Sequence, residues 1–177
     1  KRINYFEMSS YTRPTISVIV VNFNAGAFLP MCIDRIRKST TPVELIVVDN
    51  HSKDISKVYA LGRNGLQTEK YIQNELNLGF SAAVNIGATV ASGELLVVIN
   101  PDCLVWPHTI DQLCRFLNEQ HEVGLVGGLV FGIHGCEQNG CRRYDVTPIR
   151  SLGKVLGKLF PFKALPTIDM THEPIPQ

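Results

Sequence analysis

An amide and a carboxylate lie two positions apart where an apolar stretch of the chain ends. Residues Leu96–Ile99 are four consecutive aliphatic residues, and Asn100, Pro101 and Asp102 follow directly. An Asn-Pro-Asp sequence is common at the turn that follows a strand. Alternatively, the Asp102 carboxylate would bind Mg²⁺ or Mn²⁺, which prefer oxygen ligands and bridge phosphates, while Asn100 would hydrogen-bond a sugar. Spacing alone leaves these two interpretations nearly equal.

Polar residues also follow two earlier apolar stretches. Asp49 ends the second stretch, and its carboxylate would either cap the helix that follows or accept a hydrogen bond from the N–H of a uracil or thymine base. Neither interpretation is favoured by the residue alone. Phe23 follows the first stretch, between Asn22 and Asn24. By itself it is typical of a core residue, but its polar neighbours suggest an exposed ring on which a base would stack.

A third candidate segment is "NELNLGFSAAVNIG", residues 74–87. Gly79 permits a positive φ, and a helix that begins near Phe80 or Ser81 would present free N–H groups to a phosphate. The small residues of this segment would alternatively serve only close packing of helix on sheet. Asn85 lies in the middle of the predicted helix, where propensity disfavours it, so we expect it to have a specific partner.

Strands and helices alternate along the chain. The predicted strands are 15–22, 43–50, 69–74, 94–100 and 123–131, and the predicted helices are 27–39, 52–62, 81–93 and 108–120. In the first helix, the predicted apolar face comprises Phe28, Met31, Cys32, Ile33 and Ile36. The alternation predicts an α/β fold with a mostly parallel sheet covered by helices on both faces. Ligands bind beyond the carboxyl ends of such strands, so we expect the candidate residues to meet at one edge.

Composition excludes several classes of protein. The chain has 177 residues, of which 45% are hydrophobic and 19% charged, as in a soluble globular domain. A net charge of +1 gives no electrostatic case for nucleic acid. The five cysteines are scattered without paired metal-ligand spacing, which favours a reduced, cytosolic setting. No apolar run approaches the roughly 18 residues that a membrane-spanning helix needs.

Four segments in order resemble family-2 glycosyltransferases with the GT-A (Rossmann-like) fold, and within them the rhamnosyltransferase-like branch. They are "ISVIVVNFN" (16–24), "ELIVVDNHSKD" (44–54), "NLGFSAAVNIGATVASGELLVVINPD" (77–102) and "GGLVFGIHGCEQNGCRR" (127–143). Each segment is weak by itself, but the ordered set is specific. The resemblance implies inverting transfer of a sugar, with rhamnose first, from a dTDP- or UDP-sugar to a saccharide or lipid-linked acceptor in surface-polysaccharide synthesis.

The resemblance also implies roles for particular residues. The implied nucleotide-sugar contacts are Val21, Asn22, Phe23, Asn24, Asp49, Asn77, Gly79, Asn85, Asn100 and Asp102. Phe23 would stack on the base, Asp49 would read it, and Asp102 would be the carboxylate that holds Mg²⁺ or Mn²⁺. Asn100 stands where the family's DxD motif has its first aspartate. Arg142 and Arg143 match an arginine pair of this branch and would face phosphate, acceptor or solvent.

The resemblance leads to an expected domain organisation. Residues 1–14 would be an N-terminal extension or tag remnant, 15–145 the nucleotide-sugar-binding domain, and 146–177 a linker or loop toward a missing acceptor-binding portion. Because the family's general base lies in that portion, the chain is expected to be truncated. The expected location is the cytoplasm, at most peripherally at the membrane's inner face.

Two other functions remain open at this stage. One is a truncated, non-catalytic module that binds nucleotide sugars, which the missing base supports. The other is a nucleotidyltransferase, which would need a Gly-rich, basic loop after the first strand. The loop "NFNAGAFLP" (22–30) has one glycine and neither lysine nor arginine, which counts against the nucleotidyltransferase.

Overall fold

The computed structural model describes residues 16–56, 58, 70–138 and 141. The chain divides into two compact units, Lys1–Val126 and Gly127–Gln177. The described elements of the first unit are, in chain order, β1 (Ile16–Asn22), α1 (Phe28–Arg37), β2 (Glu44–Asp49), β3 (Lys70–Gln73), α2 (Phe80–Val90), β4 (Leu95–Ile99) and α3 (Thr109–Glu119).

The four strands form one parallel sheet in the order β3-β2-β1-β4. In register, Asn22 lies beside Asp49 and Asp49 beside Gln73, while Val20 pairs with Ile99. The carboxyl ends of all four strands therefore lie along one edge. This confirms the predicted α/β fold with a parallel sheet.

Helices cover both faces of the sheet, as predicted. On one face, Val18 and Val20 of β1 pack in a core cluster with residues of α1 and α3 such as Cys32 and Ile110. On the other face, Ile19 and its neighbours pack against α2. Every residue of β1 is buried because the strand is central and covered on both sides.

The predicted buried face of the first helix is partly wrong. Leu29 is fully buried in α1, whereas Phe28 and Met31 are 55% and 48% exposed. The buried residues are Leu29, Cys32, Ile33 and Ile36. Their spacing is that of a single helical stripe, and Phe28 and Met31 lie to one side of it.

The predicted fifth strand, 123–131, is also wrong. Phe131 forms only an isolated antiparallel bridge with Glu137, and Leu125 is 88% exposed. Three glycines, at 124, 127 and 128, remove side chains that would pack and make extended backbone costly to order. In the second unit, the described residues form a tight turn in which the Gly132 N–H donates to the Cys136 carbonyl at 2.8 Å.

The structure also describes part of the second predicted helix and the state of the cysteines. Of the predicted helix 52–62, only residues 56 and 58 are described as helical, and 57 and 59–62 lie outside the described residues. All five cysteines are free thiols. Across the described parts of the chain, no helix is both long and apolar enough to span a membrane.

Candidate active site

A cleft of about 760 Å³ opens at the carboxyl edge of the sheet. Seven of the predicted contact residues line it: Val21, Phe23, Asn24, Asn77, Gly79, Asn100 and Asp102. The other lining residues are Ala25, Gly26, Ala27, Phe28, Asn50, Phe80 and Pro101. The volume is in the range of small-molecule and cofactor sites.

The cleft combines aromatic rings, amides and one carboxylate. Phe23, Phe28 and Phe80 are each about half exposed, at 48%, 55% and 50%. No lysine, arginine or histidine is among the described residues that line the cleft, and Asp102 is their single charged side chain. A ligand with an apolar, flat part suits the rings, whereas an anionic part needs a cation that these side chains do not supply.

The loop that carries Phe23 is held by hydrogen bonds from the segment after β2. The Gly26 N–H donates to Asp54 Oδ2 at 2.8 Å, and the Asn24 N–H donates to Ser52 Oγ at 3.0 Å. Asn24 and Gly26 both have positive φ, 52° and 56°, which lets the loop turn back sharply. Phe23 is therefore a cleft residue rather than a core residue, and its ring is presented on a fixed loop.

The sequence prediction missed Asp54, which helps to hold this loop. Burial alone would raise the pKa of the Asp54 carboxyl. Hydrogen bonds donated by Ser56 and by the Gly26 N–H outweigh this and lower the pKa below its ordinary value. The available signal was the run "DNHSKD", in which Asp54 follows Asp49 by five positions.

Asn22 and Asp49 are fully buried and do not line the cleft. Asp49 Oδ1 accepts the Ser52 N–H at 2.8 Å, and Asp49 Oδ2 accepts from Asn22 Nδ2 at 2.7 Å. Asn22 Oδ1 has no hydrogen-bond partner among the described residues. The contact with Ser52 is a turn contact that precedes the helical residues 56 and 58, where Asp54 Oδ1 instead accepts the Ser56 N–H at 3.1 Å, and both interpretations of Asp49 stay predictions.

The predicted contacts Asn77 and Gly79 are held in place by a residue outside the predicted set. Asn50 is nearly fully buried, and its Nδ2 donates to Asn77 Oδ1 at 2.7 Å and to the Gly79 carbonyl at 3.2 Å. Asn50 directly follows Asp49 at the end of β2, which was the only sequence signal for it. Its role depends on contacts with residues far along the chain, which no local pattern reveals.

Two helices begin at the cleft without side-chain caps. The N-termini of α1 and α2, at Phe28 and Phe80, have neither a capping hydrogen bond nor an acidic residue in the first turn. The first N–H groups of a helix lack partners within it, so both ends are suited to anions. Gly79, with φ of 82°, provides the turn into α2.

Asn85 does not join the cleft. It lies on an exposed part of α2, and within the described ranges no hydrogen bond engages its side chain. The specific partner expected for it is therefore not found in this part of the chain. Arg142 and Arg143 lie outside the described residues.

Asp102 is the candidate metal ligand. Its side chain is exposed, lines the cleft, and has no hydrogen bond or ion pair with any other described residue. The described residues contain no group of three or more His, Cys, Asp or Glu side chains that would hold a metal alone. A hard cation with one carboxylate from the protein and further oxygens from a bound diphosphate fits this arrangement.

The segment that carries Asp102 is a turn, as one of its two interpretations predicted, and metal binding by Asp102 stays a prediction. The Asn100 carbonyl accepts the Cys103 N–H at 3.0 Å and the Cys32 thiol at 3.6 Å. Burial, with Cys103 and Asp102 nearby, raises the pKa of Cys32 to about 12. The thiol therefore stays protonated and serves packing rather than nucleophilic chemistry.

The fold is that of an α/β protein with a cleft at the carboxyl ends of its parallel strands, where such sheets bind ligands. Residues 17–159, well over half of the chain, match the model of glycosyl transferase family 2, and the chain belongs to that family. One similar protein is the glycosyltransferase GlyG of Streptococcus pneumoniae, 29% identical over 117 residues that cover 63% of this chain and 38% of GlyG.

Solved structures of other proteins share the fold. Residues 1–349 of S. aureus TarS in complex with UDP align with a TM-score of 0.52 and 27% identity, covering 60% of this chain and 33% of that TarS chain. The mannosyltransferase PcManGT from Pyrobaculum calidifontis, in complex with GDP-Man and Mn²⁺, aligns with a TM-score of 0.52 and 25% identity, covering 59% and 32%. The chain thus spans less than half the length of each of these proteins.

Proposed function

We propose that the cleft is the donor site of an inverting glycosyltransferase. The donor is a dTDP- or UDP-sugar, with rhamnose as the first sugar to test. The acceptor is a saccharide or lipid-linked saccharide in surface-polysaccharide synthesis, and the protein works in the cytoplasm, at most peripherally on the membrane. The observation that carries the proposal is the cleft itself, where a half-exposed Phe23 and Asp102, which has no partner among the described residues, follow the ends of the adjacent strands β1 and β4.

Three side chains of the cleft have separate roles in this proposal. Phe23 provides a face on which the base stacks, and Asn100 hydrogen-bonds a sugar hydroxyl. Asp102 holds Mg²⁺ or Mn²⁺, which supplies the positive charge that a departing diphosphate needs. This requirement is strong because no basic side chain is among the described residues of the cleft.

The reaction itself is a displacement at the anomeric carbon. A bond forms between the acceptor oxygen and that carbon, and the bond from the carbon to the diphosphate oxygen breaks. A general base takes the proton of the acceptor hydroxyl. We assign no residue to this role and place the base in a further portion of the whole protein. UDP in the TarS structure, and GDP-Man with Mn²⁺ in PcManGT, support a nucleotide-diphosphate donor with a metal.

A second candidate is a module that binds nucleotide sugars without transferring them. One observation favours this candidate: Asp102 is the single acidic side chain among the described residues that line the cleft. Asp102 cannot both bind the metal and act as the general base, so no second carboxylate in this lining is left for the transfer step. The nucleotidyltransferase is disfavoured because the loop Phe23–Ala27 contains no basic residue.

Calorimetric titration tests the proposal. UDP-, dTDP- and GDP-sugars are titrated with and without Mn²⁺ into the wild type, Asp102→Ala, and the control Asp111→Ala, whose carboxylate lies on α3 and pairs with Arg115. We expect Mn²⁺-dependent binding that weakens by about tenfold or more, roughly 1.4 kcal/mol, in Asp102→Ala and is unchanged in the control.

Two outcomes would decide against parts of the proposal. Absence of binding by any nucleotide sugar, with or without metal, defeats the donor site as a whole. Hydrolysis or transfer of the donor by this chain, measured by release of nucleoside diphosphate, defeats the binding-only alternative.

A further inference from the structure

The loop Phe23–Ala27, which we call the Phe23 loop, lines the cleft along its whole length. Two side chains of the segment after β2 hold its backbone. Asp54 Oδ2 accepts the Gly26 N–H at 2.8 Å, and Ser52 Oγ accepts the Asn24 N–H at 3.0 Å. Neither Asp54 nor Ser52 lines the cleft itself. Both side chains therefore act on the cleft through the loop.

The conformation of the Phe23 loop depends on these partners. Asn24 has a φ of 52°, in the left-handed region that residues other than glycine adopt at a cost. Of the loop's side chains, that of Ala25 is the one that packs against a core cluster, whereas the Phe23 ring is half exposed. Apolar packing therefore contributes little to holding the ring, and the hydrogen bonds to the loop backbone set its position.

Asp54 is the stronger of the two partners. Its carboxylate is charged, and a hydrogen bond to a charged oxygen is roughly twice as strong as one to a neutral oxygen. Its other oxygen, Oδ1, accepts the Ser56 N–H at 3.1 Å and also the Ser56 hydroxyl. Ser56 is fully buried, and its Oγ accepts from Asn22 Nδ2 at 2.9 Å. Buried groups at the end of β1 therefore fix the carboxylate that holds the loop.

We propose that Asp54 is a positioning residue for the base of the donor and acts by holding the Phe23 ring where the base stacks, an inference that rests on the proposed function. Without Asp54, the Gly26 amide loses its acceptor, the loop relaxes from its left-handed turn, and the ring leaves the stacking position. In the proposed function the metal and the diphosphate are held at Asp102, after β4. Binding of the phosphates is therefore not affected, and uridine and UDP weaken by the same factor.

Two substitutions at position 54 grade the effect. Asp54→Ala removes the acceptor of the Gly26 N–H. Asp54→Asn keeps one oxygen for that N–H and turns its amide to Ser56 Oγ, but it loses the charge and the second acceptor. We therefore expect Asp54→Asn to bind nucleotides better than Asp54→Ala and less well than the wild type. Asp54→Asn also takes the place of Asp54→Ala if the latter does not fold.

Glu44→Gln is the matched control. Glu44 is also a carboxylate that accepts a serine hydroxyl and a backbone N–H, from Ser17 and Ser92, but it lies at the amino edge of the sheet. Its substitution lowers stability without touching the Phe23 loop. The Kd for nucleotides is therefore expected to stay within about twofold of the wild-type value.

A double-mutant cycle with Phe23→Ala tests whether Asp54 acts through the ring. The probe is UDP with Mn²⁺, or dTDP if the wild type prefers it, and calorimetry gives the Kd. With Phe23 present, we expect Asp54→Ala to raise the Kd by about fivefold or more. In the Phe23→Ala background, we expect the same substitution to change the Kd by less than about twofold. A role in stability alone would give the same ratio in both backgrounds.

The possible outcomes separate this inference from the proposed function. Equal weakening in both Phe23 backgrounds, unequal weakening of uridine and UDP, or unchanged binding of UDP in Asp54→Ala would overturn the inference and leave the donor site intact. Absence of nucleotide binding by the wild type would instead defeat the proposed function. Amide exchange of Gly26, followed by NMR without ligand, is expected to accelerate in Asp54→Ala and not in Glu44→Gln. Unchanged exchange in Asp54→Ala overturns the inference by itself.

Discussion

Gly87 is the residue at which α2 comes nearest to the sheet. A Cβ at this position would lie 2.7 Å from Ile19 Cγ2 and 3.2 Å from Val48 Cγ2, and both partners are fully buried. Gly87 therefore serves the close packing of helix on sheet that was one interpretation of residues 74–87. The same helix presents its N-terminus to the cleft, so this packing helps to set the depth of the site.

Gly87→Ala is expected to destabilise the protein. Alanine favours a helix by up to about 1 kcal/mol over glycine, but overpacking a core costs about 1–3 kcal/mol. Because Ile19 belongs to the central strand and has no space to move into, we expect a net loss on the order of 1–2 kcal/mol in urea unfolding. Gly124→Ala, where an added Cβ meets nothing within 4 Å, is the control and should change the free energy little. A Gly87→Ala variant that is as stable as the wild type would contradict this packing.

At the scale of elements, a polar cluster joins the amino ends of β1, β2 and β3 to the end of α2. Glu44 Oε1 pairs with Lys70 Nζ at 2.7 Å, and Glu44 Oε2 accepts from Ser17 Oγ at 2.5 Å and from the Ser92 N–H at 2.8 Å. Lys70 Nζ also donates to the Val90 carbonyl. Burial alone would raise the pKa of Glu44, but the hydrogen bonds of Lys70, Ser17 and Ser92 outweigh it and lower the pKa to about 2.

This cluster predicts a pH-dependent difference in stability between the wild type and Glu44→Gln. The folded pKa, about 2, lies below the ordinary value of 4.5, so the charged form stabilises the fold. The contribution is complete above about pH 5 and is lost as the pH falls through about 2. We expect Glu44→Gln to lose on the order of 2–3 kcal/mol at pH 7, and the gap to shrink below about pH 4.5. Urea unfolding across pH 2.5–7 measures it, and a gap independent of pH would refute the assignment.

The elements that could be predicted from sequence are those with a strong local signal. β1, β2 and β4 are continuous aliphatic runs, and the polar residues that follow them indicated the correct edge of the sheet. Residues 123–131 are similarly apolar in sequence but form no strand. Their apolar content does not show how strongly the three glycines disfavour an ordered strand. In α1, Cys32, Ile33 and Ile36 were predicted correctly, but Phe28 and Met31 were included and Leu29 was missed, because all three are apolar in sequence.

The parts of the site that sequence missed depend on contacts between distant segments. In the sequence, Asn50 is one of several polar residues that follow a strand. Its hydrogen bonds to Asn77 and Gly79 form only once β2 and β3 are paired. The complete burial of Asp49 goes with its bonds to Asn22 Nδ2 and to the Ser52 N–H, and the first of these exists only once β1 and β2 are paired. Asn85 was chosen on propensity alone and lies on an exposed part of its helix.

At the scale of the whole molecule, the charge of the chain and that of its cleft differ in sign. The net charge is +1, yet Asp102 is the one charged side chain among the described residues of the cleft. Without metal, the negative charge of Asp102 repels each added phosphate, and only the N-termini of the helices attract phosphate. With a divalent cation bound, the sign of the local charge reverses.

This reversal predicts how affinity depends on phosphate number. Without metal and at low salt, we expect uridine to bind at least as well as UMP, and UMP at least as well as UDP. With Mn²⁺ the order reverses, and UDP gains the most, by about tenfold or more. Calorimetry with EDTA or with Mn²⁺ measures both series. Tight binding of UDP in EDTA would show that a cation outside the described lining neutralises the diphosphate.

The hydrogen bonds of the cleft divide it into two parts with different freedom to change over evolution. The Phe23 loop, the segment after β2 and residues Asn74–Gly79 are bonded to one another through Ser52, Asp54 and Asn50. In the described residues, the side chains of Asn100 and Asp102 take no part in such bonds. Substitutions in the first group must therefore be compensated by their neighbours, whereas positions 100 and 102 can vary one at a time. A lineage with this architecture can change the chemistry at positions 100 and 102 without rebuilding the half of the cleft that these hydrogen bonds hold in place.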